Sequence, residues 1–354
     1  MAGHTNVKLL YEASDFPVFQ NKMYETQEDA IACQRGDIRL VENLDTGLVY
    51  NESFLPELMK YDSNYQNEQG VSPRFKEHLK DVLKVIDETI GKCRLIEVGC
   101  GKGFFLEMLL KQGFEITGFD PAYEGDNPKI EKQYFESGLG IKANGIILRH
   151  VLEHIKNPVE FLFLLKEANN GEGLIYIEVP CFDWICAHKA WFDVFYEHVN
   201  YFRLTDFHRI FGNIIKSGKS FGGQYLFVVA DLSSLKNPVI DQRDRVDFPA
   251  DFLEKLVHQG KGNQKEVAIW GASKGVIFSL LKSRVGDPVN IVIDINLSKQ
   301  GKYIAATGLR VMSPDIGLKL LPIGSTIYVM NSNYLEEIKA MSNNAYNYVS
   351  VDDE

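Results

Sequence analysis

Two stretches of this 354-residue chain place chemically active residue types at useful spacing. The first is Glu97-Val98-Gly99-Cys100-Gly101-Lys102-Gly103, lying between an apolar run and a helix-like pattern. Glycines there let the backbone turn sharply and approach a ligand that a Cβ would hold off. Asp120 ends the next apolar run, 17 residues beyond Gly103, and Pro121 follows it. A carboxylate in that place can accept hydrogen bonds from both hydroxyls of a ribose. A dinucleotide site would read GxGxxG, whereas this loop reads ExGxGxG with its acid ahead of the glycines. An NAD site is the weaker reading, and a bare packing turn is the other alternative. The second stretch, Phe192 to Phe202, surrounds Glu197-His198 with aromatics. It reads either as a half-buried loop with a hydrogen-bonded histidine or as a substrate site in which Glu197 tunes His198 as a general base.

Two further motifs need placing. Arg149-His150-Val151-Leu152-Glu153-His154 contains HxxEH, the helix-borne signature of inverted zinc peptidases. Here His150 directly follows the apolar run 145–148, so the two histidines are not expected on one helix face, and no metal site is expected. Gly271-Ala272-Ser273-Lys274-Gly275 follows another apolar run. It suits either a phosphate cradle assisted by Lys274 or a packing turn. Lys299 and Lys302 would suit a diphosphate, or simply solvate a surface.

The elements around these motifs alternate. Ser72 and Pro73 are N-cap and first-turn residues, and Phe75, Leu79, Val82, Leu83, Ile86 and Ile90 recur at helical spacing before Gly91. Strands are expected at 94–98, 115–120, 145–149, 174–179 and 224–230, with helices at 104–112 and 158–168. Such alternation indicates a parallel sheet with helices on both faces. After a proline-containing, charged stretch at 232–250 the pattern restarts: helix 250–259, strand 267–270, helix 274–283, strands 290–294 and 326–330, helix 333–341. The expected division is an N-terminal cap or arm at 1–70, an α/β domain at 71–235, and a smaller C-terminal α/β domain at 236–354.

Composition limits the function. Hydrophobic residues make up 45% and charged residues 24%, as in ordinary globular proteins. The 48 acidic residues exceed the 38 basic ones, a net charge of −10, which argues against a nucleic-acid binder. Five cysteines without a CxxC pair argue against a disulfide framework or a sequence-local zinc knuckle. Neither a signal peptide nor an apolar run long enough to span a membrane is visible, so a cytoplasmic location is expected. Oligomeric state is not legible.

The order of strand, glycine loop, helix and strand-ending Asp120 resembles the class I S-adenosylmethionine (SAM)-dependent methyltransferases. The resemblance implies a Rossmann-like sheet with Gly99, Gly101 and Gly103 passing under the cofactor. Glu97 would orient the cofactor, Asp120 with Pro121 would hold its ribose, and Arg149 and His150 would border the methyl group.

The whole chain further resembles the sugar C-methyltransferases, which act on nucleotide-linked keto-sugars. Tyr65-Gln66-Asn67, Glu197-His198 with Tyr201-Phe202, and the C-terminal Lys274, Asp294, Lys299 and Tyr303 carry that likeness. It implies His198 as base supported by Glu197, with Tyr65 and Tyr196 donating to an oxyanion. It also implies a sugar nucleotide touching Asn67, Tyr201, Lys274, Asp294, Lys299 and Tyr303. Two departures stand out. Phe195 occupies a position where many members have tyrosine, and Cys33 alone cannot build the N-terminal zinc site many members carry. O-methylation of a sugar and a non-catalytic SAM-binding assembly role are the competing expectations.

Overall fold

Short apolar runs bounded by glycine produce the central sheet. In the computed structural model, which describes residues 6–60, 64–66, 70–258 and 266–353, seven strands form it. Their order across the sheet is Ile214–Ser220, Tyr225–Asp231, Leu174–Pro180, Gly145–Arg149, Arg94–Val98, Glu115–Phe119 and Ile130–Glu131. The last five are mutually parallel. Tyr225–Asp231 runs antiparallel between its two neighbours. This is the doubly wound α/β arrangement in which ligands bind beyond the carboxyl ends of the parallel strands.

Helix Pro73–Thr89 begins as its sequence dictates: the Ser72 hydroxyl accepts the Phe75 N–H at 3.3 Å and Pro73 occupies the first turn. Its buried face carries Phe75, Leu79, Val82 and Ile86, and also His78, which turns toward the sheet. Helices Phe104–Lys111 and Pro158–Ala168 follow the glycine loop and the HxxEH segment.

The N-terminal residues, read as a cap or arm with no strands assigned, pair into a sheet. Strands Val7–Pro17, Arg35–Asn43 and Val49–Asn51 form an antiparallel sheet. Its fourth strand is Asn200–Tyr201, from the far end of the sequence segment that carries Glu197-His198.

A second parallel sheet lies in the C-terminal part. Its order is Val311–Met312, Ile291–Ile293, Val267–Trp270, Thr326–Val329 and Asn347–Ser350, so the chain winds outward in both directions from Val267–Trp270. The switch point lies between Val267–Trp270 and Thr326–Val329. The helix that follows the first strand, Ala272–Arg284, is longer than the 274–283 expected. Helix 250–259 is observed only as Glu254–His258. No helix among the described residues is long and apolar enough to cross a membrane.

Candidate active site

A cleft of about 350 Å³ opens where the carboxyl ends of both parallel sheets face one another. Its walls come from the glycine loop (Glu97, Gly99, Cys100, Gly101, Lys102) and the strand end Arg149-His150. Glu153, His154, Tyr65, Phe195 and His198 line it further, as do Gly271, Ser273, Lys274, Asp294 and Lys299.

The glycine loop is held by geometry only glycine tolerates. Gly99 has φ +70°, and a Cβ on it would sit 2.4 Å from Val151 Cγ2. Gly103 has φ +80°, and its Cβ would lie 2.5 Å from Ile130 Cδ1. Asp120 fastens the loop from the neighbouring strand: one carboxylate oxygen accepts the Gly101 N–H at 2.8 Å, the other the Ala122 N–H at 2.8 Å. Each oxygen keeps a lone pair for a ribose hydroxyl. Glu97 is buried at the base of the loop, and its Oε2 has no hydrogen-bond partner among the described residues. Burial raises its pKa to about 7, against the opposing pull of Arg149. An unpartnered carboxylate beside a glycine cradle suits the ammonium group of an amino-acid moiety, so the loop fits SAM.

Beside it lies an ion cluster centred on Glu178, at the end of strand Leu174–Pro180 and fully buried. Arg149 Nη2 reaches it at 2.9 Å, His78 Nε2 at 3.2 Å and His150 Nε2 at 3.3 Å, and the Tyr176 hydroxyl donates at 3.1 Å. Burial alone would raise the Glu178 pKa, but Arg149 and the two histidines hold it well below the usual carboxylate range. His150 sits at φ +51°, a backbone conformation uncommon outside glycine, asparagine and aspartate. Burial works against its charge, yet Glu153 and Glu178 together raise its pKa to about 9.

The opposite wall is stitched from two segments. The turn Leu152–His154 and the loop leading to Asn200 are joined by Val199 N–H donating to Glu153 O at 2.8 Å. Asn200 Nδ2 donates to Ile155 O at 2.6 Å. His154 Nδ1 lies 2.8 Å from Glu197 O. A carbonyl only accepts, so Nδ1 of His154 carries a proton. The His154 and His198 rings meet edge to face with centroids 4.8 Å apart. Burial, with His154, His150 and Lys274 nearby, holds the His198 pKa well below its ordinary value.

The expected support of His198 by Glu197 does not form. The Glu197 carboxylate is fully buried, accepting the Gln20 N–H at 2.8 Å and the Tyr65 hydroxyl at 2.7 Å. It therefore anchors the N-terminal segment and Tyr65, and its backbone carbonyl orients His154. Tyr196 departs further: its ring stacks on Phe54 outside the cleft and its hydroxyl accepts the Leu55 N–H at 2.8 Å. Tyr201 is buried outside the cleft too, its hydroxyl bonded to Phe195 N and O. Phe195 lies against His198 with ring centroids 4.0 Å apart.

Of the other expected contacts, Tyr65, Lys274, Asp294 and Lys299 line the cleft, while Tyr303 pairs with Tyr24 away from it. Gly103, Asp120 and Pro121 are not among its lining residues. Asn67 is outside the described residues. Lys274 is paired with Asp193 at 2.6 Å, and Lys299 contacts the Ser273 hydroxyl. Asp294 accepts the Ala272 N–H at 2.9 Å and the Asn296 N–H at 2.8 Å. This repeats, in the second parallel sheet, the clamp Asp120 makes on Gly101 and Ala122.

Sequence reasoning passed over Glu178 and His78, and met Glu153 only as part of the HxxEH motif. A glutamate ending an otherwise apolar strand (Leu174-Ile-Tyr-Ile-Glu178-Val) was the available signal for the first.

Comparison with known proteins agrees with this geometry. Residues 60–214 match the family described as "Methyltransferase domain". Among curated proteins, the ubiquinone biosynthesis O-methyltransferase of Rickettsia canadensis (strain McKiel) is 25% identical over 144 residues, 35% of this chain and 61% of that one. The corresponding protein of Rickettsia bellii (strain OSU 85-389) is 24% identical over 148 residues, 36% of this chain and 61% of its own. The chain thus spans about three fifths of the length of the curated relatives it matches.

Among solved structures, a Burkholderia thailandensis 1,6-didemethyltoxoflavin-N1-methyltransferase bound to S-adenosylhomocysteine aligns with a TM-score of 0.34 at 14% identity. That alignment covers 44% of this chain and 77% of that one. A plantazolicin methyltransferase aligns with a TM-score of 0.37 at 20% identity, over 49% and 91%. Residues 60–214 thus match a methyltransferase-domain family, and they supply the five parallel strands of the Rossmann-like sheet.

Proposed function

We propose that the chain is a SAM-dependent methyltransferase whose acceptor is a nucleotide-linked keto-sugar, methylated at carbon. The observation that carries the methyltransferase reading is the family match to the segment in which the glycine loop, clamped by Asp120, and Glu97 with its unpartnered Oε2 line one cleft. SAM, when bound, supplies an electrophilic methyl group. Glu97 holds its ammonium, the Gly99–Gly103 backbone lies under it, and Asp120 takes the ribose.

The sugar reading draws on the far wall. The turn at Gly271, the Asp294 clamp and the ammonium groups of Lys274 and Lys299 form a second nucleotide-like cradle at a strand-order switch point. A ligand spanning both cradles puts its middle against Glu153, His154 and His198. There an imidazole can take the proton from the carbon beside a carbonyl, while the hydroxyl proton of Tyr65 is already given to Glu197. O-methylation is the second reading, favoured by the O-methyltransferase relatives.

The test begins with calorimetric titration of SAM and its demethylated product into wild type and Asp120→Ala. Micromolar binding, about −8 kcal/mol, that is lost in the variant is expected. No binding to well-folded wild type overturns the reading. Deuterium uptake at the sugar carbon without SAM separates C-methylation from O-methylation, which gives product without exchange.

A further inference from the structure

The HxxEH segment is not explained by the donor site. It does not form a zinc-peptidase helix: His150 ends a strand at φ +51°, and Glu153 and His154 lie in a short 3-10 turn. A different trio converges instead. Glu153, His154 and His198 each offer a ligand atom, and these atoms lie within 4.8 Å of one another. We propose that these three residues form a binding site for a zinc-class divalent transition-metal ion at the acceptor end of the cleft.

Three independent observations point there. Glu153 is 1% exposed, yet neither of its carboxylate oxygens has a hydrogen-bond partner among the described residues. His150 Nδ1 forms an ion pair with Oε1 at 3.4 Å, which leaves the buried Oε2 without a partner among the described residues. A buried carboxylate oxygen in that state gains from a second cation. Second, His154 donates Nδ1–H to the Glu197 carbonyl, the arrangement that fixes the tautomer of a metal-binding histidine and leaves Nε2 as the ligand. Third, the segments bearing the trio are already joined through Val199 N–H to Glu153 O and through Asn200 to Ile155 O. The ligand backbones are therefore preorganised before any ion arrives.

The donor set selects the ion. Two imidazoles and one carboxylate favour zinc, cobalt, iron or manganese over magnesium and calcium, which prefer all-oxygen shells. Ligands about 2.1 Å from an ion stand roughly 3.4 Å apart in tetrahedral geometry, so small side-chain rotations close the site. Three protein ligands leave a position open toward the cleft, as in catalytic rather than structural sites. Resting on the placement of the acceptor there, the ion would polarise the acceptor's carbonyl oxygen and so acidify the C–H beside it. With His154 and His198 engaged as ligands, that proton would pass to water at the mouth of the cleft, and the carbon's freed electron pair would take the methyl group from the sulfonium.

The probe is cobalt(II), titrated into chelator-treated, untagged full-length protein while its visible ligand-field absorption is followed. One saturable equivalent, displaced by zinc, is expected in wild type. Glu153→Gln, close to isosteric, and His198→Asn should each weaken cobalt binding by more than the 10–100-fold typical of outer-sphere changes, with unchanged melting temperature. Should one variant fail to fold, the other carries the test. Absence of a 1:1 cobalt spectrum in wild type overturns the proposal, as does wild-type affinity in a folded variant. SAM titration of the same chelated sample reads the methyltransferase assignment separately, so either can fail alone.

Discussion

Glu97 and Glu178 are two buried carboxylates of one cleft with opposite electrostatic fates, and each makes a prediction. Glu97 is lifted to about 7 by burial. It is tolerated while protonated, and its ionisation costs the folded state up to about 3 kcal/mol as pH rises through about 7. Glu97→Gln should therefore melt at a higher temperature than wild type at alkaline pH and show little difference in acid, which paired thermal melts will check. A bound ammonium favours the ionised form, so SAM affinity should rise with pH across the same window, with proton release measurable by calorimetry in buffers of different ionisation heat. The Gln variant should lose that slope.

Glu178 is pulled well below its ordinary value, so its contribution is present at neutral pH and lost as acid protonates it. Glu178→Gln leaves Arg149 without its counter-charge and should cost about 3–5 kcal/mol in denaturant unfolding. A loss under about 1 kcal/mol would mean that the Arg149, His78 and His150 contacts are not energetically coupled.

The loop at Gly99 gives the cleanest test among the elements. Gly99→Ala introduces a Cβ 2.4 Å from Val151 Cγ2 at φ +70° and should abolish SAM binding. Val151→Ala in the same chain removes the clash and leaves only the backbone strain, about 1–2 kcal/mol. Partial recovery of binding in the double variant is expected, and none would place the defect elsewhere.

The same scale shows what could be read from the sequence. The central strands at 94–98, 145–149 and 267–270 and the helix at 158–168 are apolar runs with clear stops, and they fold where expected. Ile214–Ser220 was not anticipated: it is an edge strand whose second half, Lys-Ser-Gly-Lys-Ser, is polar. The N-terminal sheet was hidden because bulges at Leu9/Tyr11 and Ala13/Phe16 break the two-residue alternation of Val7–Pro17. Within the site, the glycine loop and Asp120 were legible because one local turn defines them. The Glu178 cluster was not, because it gathers residues from helix 73–89 and two strands that only the folded sheet brings together.

For the whole molecule, the join between the two parallel sheets carries the next expectation. Gln224 is buried and donates to Asn331 Oδ1 at 2.9 Å and Asp352 Oδ2 at 2.8 Å, and accepts from Asn331 Nδ2 at 2.7 Å. Gln224→Ala strands those partners, at a cost of about 1–3 kcal/mol. Amide hydrogen exchange should then accelerate in strands 267–270 and 326–329 more than in 94–98 and 145–149. Equal acceleration in both sheets would show that they open as one unit.

A last consequence follows from the pairing of Asn200–Tyr201 with Val49–Asn51. The donor loop hangs on the seven-stranded sheet, while Glu197 and His198 hang on the N-terminal one, pinned by Gln20. The wall that bears His198 and the glycine loop thus depend on different pieces of framework. Substitutions that loosen strands 7–17, 35–43 and 49–51 should therefore displace His198 before they disturb the turn at Gly99–Gly103.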